Sequence, residues 1–266
     1  MSKNWQPSLL IHTSVALHAV ALVTLITSPT LWPWILAAIV TNHLVITAAG
    51  LWPRSHLLGP NLTHLPATAT AKNEIALTID DGPDPIVTPQ VLDILDRYSV
   101  KATFFCIADN ALRFPQLCQE IIRRGHTIEN HSQHHRHNFS LLGYSKIKRE
   151  LQVAQDTLTN ITGQRPLFFR APAGLRNIFL DPVLTQLELR LATWSVRGFD
   201  TQNGNTQQVK NKLLAGLNPG AILLMHDGNA ALTPQGIPVI VEVLPSLLAS
   251  AEASDLHFVT LRQAIS

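Results

Sequence analysis

From Glu74 to the C-terminus the chain alternates between two hydrophobic periods. Short apolar or alternating runs read as β-strands: EIALTID (74–80), KATFFCI (101–107), HTIENH (126–131), PLFFRAP (166–172), LRLATWSV (189–196), GAILLMHD (220–227) and LHFVTL (256–261). Between them, apolar residues recur at i, i+3 and i+4. Helices are therefore expected over 88–99, 109–125, 145–162, 181–188, 206–217 and 237–252. Thr88 is expected to cap the first of these, with Pro89 in its first turn; Pro115 should break the second and Gly125 end it. About seven strand–helix units predict a parallel sheet covered by helices, either open or closed into a barrel.

The first fifty residues follow neither pattern. Residues 4–53 contain no Asp, Glu, Lys or Arg. Two apolar stretches, within 8–27 and 33–52, are separated by Ser28-Pro29-Thr30, and each gives roughly 30 Å of helix, about one hydrocarbon thickness. Trp32, Trp34 and Trp52 fall at the segment ends, where indole favours the membrane interface. A secretory signal has a single apolar core of about 7–15 residues, so two segments point instead to a two-span membrane anchor over 1–54. His12 and His18 would face the partner helix or the surface. Residues 55–72 are rich in Pro, Thr and Ala and lack a period, which reads as a linker. The Asn61-Leu62-Thr63 sequon there is taken as chance. The catalytic unit is then 73–266.

Charge narrows the options. The net charge is only +2, and the densest basic run, Lys146–Arg149, lies in a helical pattern as a solvated face, so no nucleic-acid partner is expected. Cys106 and Cys118 sit in apolar surroundings and read as buried free thiols. What is unusual is where polar residues interrupt strand ends: Asp80 and Asp81 after the first, His131 and His135 after the third, Arg170 at the fourth, Asp200 after the fifth and His226 at the sixth. In a parallel α/β domain all these ends share one rim, where sites form.

One carboxylate and two imidazoles are a common ligand set for a hydrolytic divalent cation. Asp81, His131 and His135 supply it; His134 and His137 compete on spacing alone. Adjacent strand residues point to opposite faces, which leaves Asp80 free for proton transfer while Asp81 binds metal.

The segments TIDDGPD, HSQHH, RAP, Asp200 and LLMHDG, in this order and spacing, resemble the five motifs of the polysaccharide deacetylase (NodB-homology, carbohydrate esterase family 4) domain. The resemblance covers roughly residues 73–265. It implies a distorted, incomplete (β/α) barrel of about seven parallel strands, here preceded by two transmembrane helices. It also implies a metal-dependent hydrolase, often zinc-dependent, that removes acyl groups from amino sugars. By the same resemblance Asp80 is the base, His226 the acid, Arg170 the tether of the base and Asp200 the partner of the acid. Asp81, His131 and His135 are the metal ligands, and Ala173 (by its N–H) and Leu224 contact the substrate. Two aromatic positions of the family pattern are Ala173 and Thr201 here, which strips rings from the groove.

The expected activity is N-deacylation, as deacetylase or deformylase, of an amino sugar that is lipid-linked or part of the cell envelope. A membrane-tethered deacetylase of polymeric glycan such as peptidoglycan is the alternative, and an inactive sugar-binding module a third. Partners are the glycan or glycolipid and the lipid bilayer. Lys3 before the first span and Arg54 after the second put the catalytic unit on the cytoplasmic side of a bacterial inner membrane.

Overall fold

The structure, a computed structural model, describes residues 4–266. Lys3, which enters the charge reading, lies outside the described residues. Helices α1 (Leu9–Thr27) and α2 (Trp32–Leu51) form an antiparallel hairpin through a 3₁₀ turn at Pro29–Leu31. Ser8 caps α1 with its hydroxyl, and Pro33 lies in the first turn of α2, where a missing N–H costs nothing. Both helices are long and apolar enough to cross a membrane. Only Ser14, Ala21, Ala49 and Gly50 are buried in them. Asn42 Nδ2 donates to Ser14 Oγ across the pair, and His18 packs edge-on against His43.

The rest is a curled parallel sheet. Its strands are β1 (Glu74–Asp80), β2 (Thr103–Cys106), β3 (Thr127–Asn130), β4 (Phe168–Phe169), β5 (Arg190–Leu191), β6 (Val196–Arg197), β7 (Ile222–His226) and β8 (His257–Phe258), in the order β5-β4-β3-β2-β1-β7-β6. β8 pairs only with the start of β1. Between them run α3 (Ala67–Thr70), α4 (Val87–Arg97), α5 (Ala108–Arg113), α6 (Pro115–Arg123), α7 (Tyr144–Thr162), α8 (Leu180–Leu187), α9 (Thr206–Ala215), α10 (Val239–Ala253) and α11 (Leu261–Ala264). This is the distorted, incomplete barrel expected from the sequence.

Three local expectations change. The single strand expected over 189–196 is bent into β5 and β6, which lie at opposite ends of the strand order. Ala192 N–H donates to the Phe169 carbonyl, and Ser195 N–H to that of Ile222. One eight-residue stretch thus serves both sheet edges, and counted as one strand it gives seven. Thr88 does not cap α4: it lies inside the helix, fully buried, and the Asp84 carboxylate accepts from the N–H groups of Ile86 and Val87 instead. Residues 55–72, read as a linker, are packed against the bend. Leu58, Leu65 and Ala69 are buried, and Leu62 and His64 bridge to Ala192 and Ala221. The segment fills an irregular seam, so its apolar residues follow no period. Asn61 is buried there with its amide bonded to Pro53 and Ser55, which leaves the sequon inaccessible.

Alternation along the strands sets up the site. Ile75, Leu77 and Ile79 of β1, and Leu223 and Met225 of β7, pack outward under the helices with Val91, Leu95, Val243 and Leu247. The opposite set points into the barrel: Ala76, Thr78 and Asp80 from β1, and Ile222, Leu224 and His226 from β7. Each full burial of a Leu, Ile or Phe contributes about 1.5–3 kcal/mol, so a slip of one residue in register, which would exchange the two sets, is strongly disfavoured.

Candidate active site

Asp80 and His226 are the last residues of β1 and β7, and the register pairs them directly. Both reach the rim from the barrel interior. Asp81 follows with φ +74, outside the strand conformation. That turn brings its carboxylate to the same pocket as Asp80 rather than to the opposite face, as strict alternation would require. His131 Nε2 lies 3.2 Å from Asp81 Oδ1 and 3.8 Å from Asp80 Oδ2. His135 Nε2 also lies 3.2 Å from Asp81 Oδ1. The loop that carries the two histidines is tight, not helical. Ser132 and His135 have φ of 67 and 50, and Ser132 Oγ accepts from the His135 N–H. His134 turns away to bond Glu150, while His137 lines the pocket margin.

The donor set suits a cation. His131 Nδ1 lies 2.8 Å from the Arg170 carbonyl, which can only accept, so the ring proton is on Nδ1 and Nε2 presents a lone pair. Asn229 Nδ2 donates to Asp81 Oδ2, and Asn110 Nδ2 holds the Asp81 carbonyl. Asp81 Oδ1 is buried and accepts no hydrogen bond among the described residues. Ligand atoms of Asp81, His131 and His135 all lie within 4.8 Å of one another. A buried carboxylate oxygen without a donor, beside an imidazole nitrogen that presents a lone pair, is what a divalent ion satisfies.

Arg170, at the end of β4, links the parts. It is completely buried, yet each of its three nitrogens donates. Nη1 donates to Asp80 Oδ1 at 2.7 Å and to Thr78 Oγ1, Nε to the Ala192 carbonyl and Nη2 to that of Thr193. The guanidinium also lies over the Phe105 ring. One residue therefore orients Asp80 with its side chain and His131 with its carbonyl.

His226 Nδ1 donates to Asp200 Oδ1 at 2.9 Å, and the His226 N–H donates to Oδ2. The imidazole is thereby fixed with Nε2 free. Its burial disfavours the charged form, but the Asp200 carboxylate more than compensates and raises the pKa above its ordinary 6.5. Behind it, Asp227 is buried against Thr88 Oγ1, and burial pushes its carboxyl up to about 7. The pocket encloses about 230 Å3, with Leu224 on its floor and Ala173 on its wall. Ala173 has φ +55, and its N–H donates to no group among the described residues.

All nine residues singled out in the sequence meet at this rim. Sequence reasoning missed Asn110, Asn229 and Trp194. Trp194 restores a ring to the pocket wall, so the groove is less bare than the lost aromatic positions implied. The signal was present: Trp194 faces inward because the chain bends there, and a strand read as straight conceals it.

The parallel barrel and its polar rim define an α/β-barrel hydrolase. The polysaccharide deacetylase family model matches residues 67–192. A peptidoglycan-N-acetylglucosamine deacetylase of Bacillus cereus is 32% identical over 194 residues, 71% of this chain and 67% of its own. A chitooligosaccharide deacetylase of Sinorhizobium fredii is 31% identical over 199 residues, 70% of this chain and 91% of its own. A solved peptidoglycan N-acetylglucosamine deacetylase superposes with a TM-score of 0.69 at 28% identity, over 77% of this chain and 92% of that one. The chain belongs to the polysaccharide deacetylase family and is a hydrolase of non-peptide carbon–nitrogen bonds.

Proposed function

We propose that the protein is a divalent-metal-dependent N-deacylase of an amino sugar at the membrane, either lipid-linked or in the cell envelope. The observation that carries this reading is the register of β1 with β7, which sets Asp80 and His226 beside the cation-ready Asp81, His131 and His135. A divalent ion in that set, zinc by donor type, would polarise the acyl carbonyl and make water more acidic. Asp80, tethered by Arg170, takes the proton from the attacking water. The Ala173 N–H donates to the oxygen that becomes negative. His226, held protonated by Asp200, gives its proton to the nitrogen as the carbon–nitrogen bond breaks, and Leu224 contacts the acyl carbon chain. The products are a free amine and a carboxylate.

We further propose a membrane unit over 1–54 inserted as two spans, and a catalytic unit beginning at about Ser55 rather than 73. Charge at the flanks supports a cytoplasmic placement of that unit in a bacterial inner membrane. The names of the relatives support a polymeric glycan as the alternative substrate. The test is release of acetate or formate by the full-length protein in detergent, from N-acetylated chitooligosaccharide and from a membrane lipid extract. Activity should vanish with a chelator and return with zinc. Chelator-resistant release, or none from either source, contradicts the reading.

A further inference from the structure

A second groove, of about 730 Å3, lies where the base of the hairpin meets the barrel seam. Trp52, Pro53 and Arg54 line one side, and Trp194, Arg197 and Lys212 the other. It adjoins the active-site pocket, because Trp194 and Arg197 line both. The two units are fixed there. Arg176 N–H donates to the Gly50 carbonyl at the end of α2, its guanidinium donates to the Ser55 carbonyl, and Trp5 Nε1 donates to Asp181. Gly50 allows this closeness, since a Cβ there would meet the Arg176 carbonyl oxygen at 2.4 Å. Gly174, next to Ala173 in the pocket wall, packs on Pro53 and Trp194 in the same way.

The groove is electropositive and uncompensated. No Asp or Glu lines it, and among the described residues Arg54, Arg197 and Lys212 take part in no ion pair. Rings hold the cations instead. The Arg197 guanidinium lies 5.4 Å from the Trp194 ring centre and 4.9 Å from that of Phe199, and Lys212 Nζ lies 4.7 Å from Phe199. Arg197 Nε is buried with no acceptor among the described residues, a costly arrangement until one arrives. Arg54 uses one N–H on the Ser195 carbonyl and keeps the rest of its fork. Three cations converging without a counter-charge suit a phosphate, which accepts several such bonds at once. The groove begins at the exposed Trp52, the residue after Leu51 at the end of α2, at the level where an apolar span ends.

We propose that this groove is a phosphate subsite for a lipid-carried amino sugar. The phosphate or pyrophosphate joining sugar to lipid binds Arg54, Arg197 and Lys212, and the sugar reaches past Trp194 so that its N-acyl group enters the pocket. The inference rests on the deacylase reading and narrows its substrate to one presented by the membrane.

The experiment uses full-length protein in phosphatidylcholine nanodiscs. It compares kcat/KM for three sugars: N-acetylglucosamine on a polyprenyl phosphate, water-soluble N-acetylglucosamine 1-phosphate, and neutral tri-N-acetylchitotriose. The double variant Arg54→Gln, Lys212→Gln is measured beside wild type; Arg197 is kept because it also lines the catalytic pocket. Loss of two charge-assisted contacts should lower the ratio of lipid-phosphate sugar to neutral sugar about 10–100-fold. Because the readout is a ratio, partial misfolding cancels. A ratio unchanged within twofold overturns the proposal. So does a wild type that handles the soluble phosphosugar as well as the lipid-linked one, or competitive inhibition by phosphatidylglycerol added to the discs, which would make the groove a headgroup site. If wild type deacylates none of the three, the deacylase reading fails. The affinity for the polyprenyl phosphosugar, followed by tryptophan fluorescence in wild type and double variant, then decides the subsite by the same fold-change.

Discussion

At the scale of single residues, the division of labour between neighbours follows from their hydrogen bonds. Asp80 and Asp81 are chemically identical, but Arg170 holds one and the Nε2 atoms of His131 and His135 face the other. Two histidines differ in the same way: His131 donates to a carbonyl, His226 to a carboxylate. The carboxylate behind His226 favours its charged form while leaving Nε2 free, which suits a proton donor. The imidazolium of His226 is present below its raised pKa and is lost as pH rises through it. In the proposed mechanism the basic limb of kcat/KM therefore lies above pH 6.5. Asp200→Asn removes the carboxylate and leaves burial, which acts in the other direction, so that limb should move down by about one pH unit or more. A kcat/KM profile for both proteins checks this, and an unmoved basic limb would remove His226–Asp200 from the acid role. That these residues share one rim was legible in the sequence because all the carriers sit at strand ends, whereas who pairs with whom was implied only by the family resemblance. Asn110 and Asn229 were not legible, since an isolated Asn in a loop has no periodic context that says where its amide points.

At the scale of elements, the two-residue period of β1 and β7 was readable. It carries both the outer core and the site, and a parallel barrel with its polar rim follows from it. Helices α7 and α10 were equally plain. What could not be read was anything that depends on closure. Residues 190–197 bend because they complete both edges of the sheet, and residues 55–72 are ordered because that bend leaves a seam to fill. Both are tertiary causes with no local period. The packing implies that the catalytic unit needs its seam segment. A chain starting at Pro53 should give a cooperative thermal transition. One starting at Asn73 loses the burial of Leu58, Leu65 and Ala69 together with the bonds at Leu62 and Leu65. That is on the order of 5 kcal/mol, or a Tm lower by about 10–20 °C. Equal Tm values by calorimetry would show that the segment is a tether after all.

At the scale of the whole molecule, the hairpin and the barrel are arranged so that the active-site rim lies near the end of the second apolar helix, through Gly50–Arg176 and Pro53–Gly174. A surface-bound protein leaves the membrane when charges are screened or the pH is raised, but apolar burial does not respond in that way. The full-length chain should therefore stay in the membrane pellet through high-salt and carbonate washes, and its recovery in the supernatant would refute the two spans. The central claim is that one rim holds both a metal-binding carboxylate and a separate base. Metal content and turnover of Asp80→Asn and Asp81→Asn, measured side by side, test it most directly. Asp80→Asn should keep one divalent ion per chain and lose about 10²–10⁴-fold in kcat, the usual contribution of general acid–base catalysis. Asp81→Asn should lose the ion and the activity together. An Asp80→Asn protein that turns over near the wild-type rate, or that is empty of metal while Asp81→Asn remains loaded, would contradict the assignment.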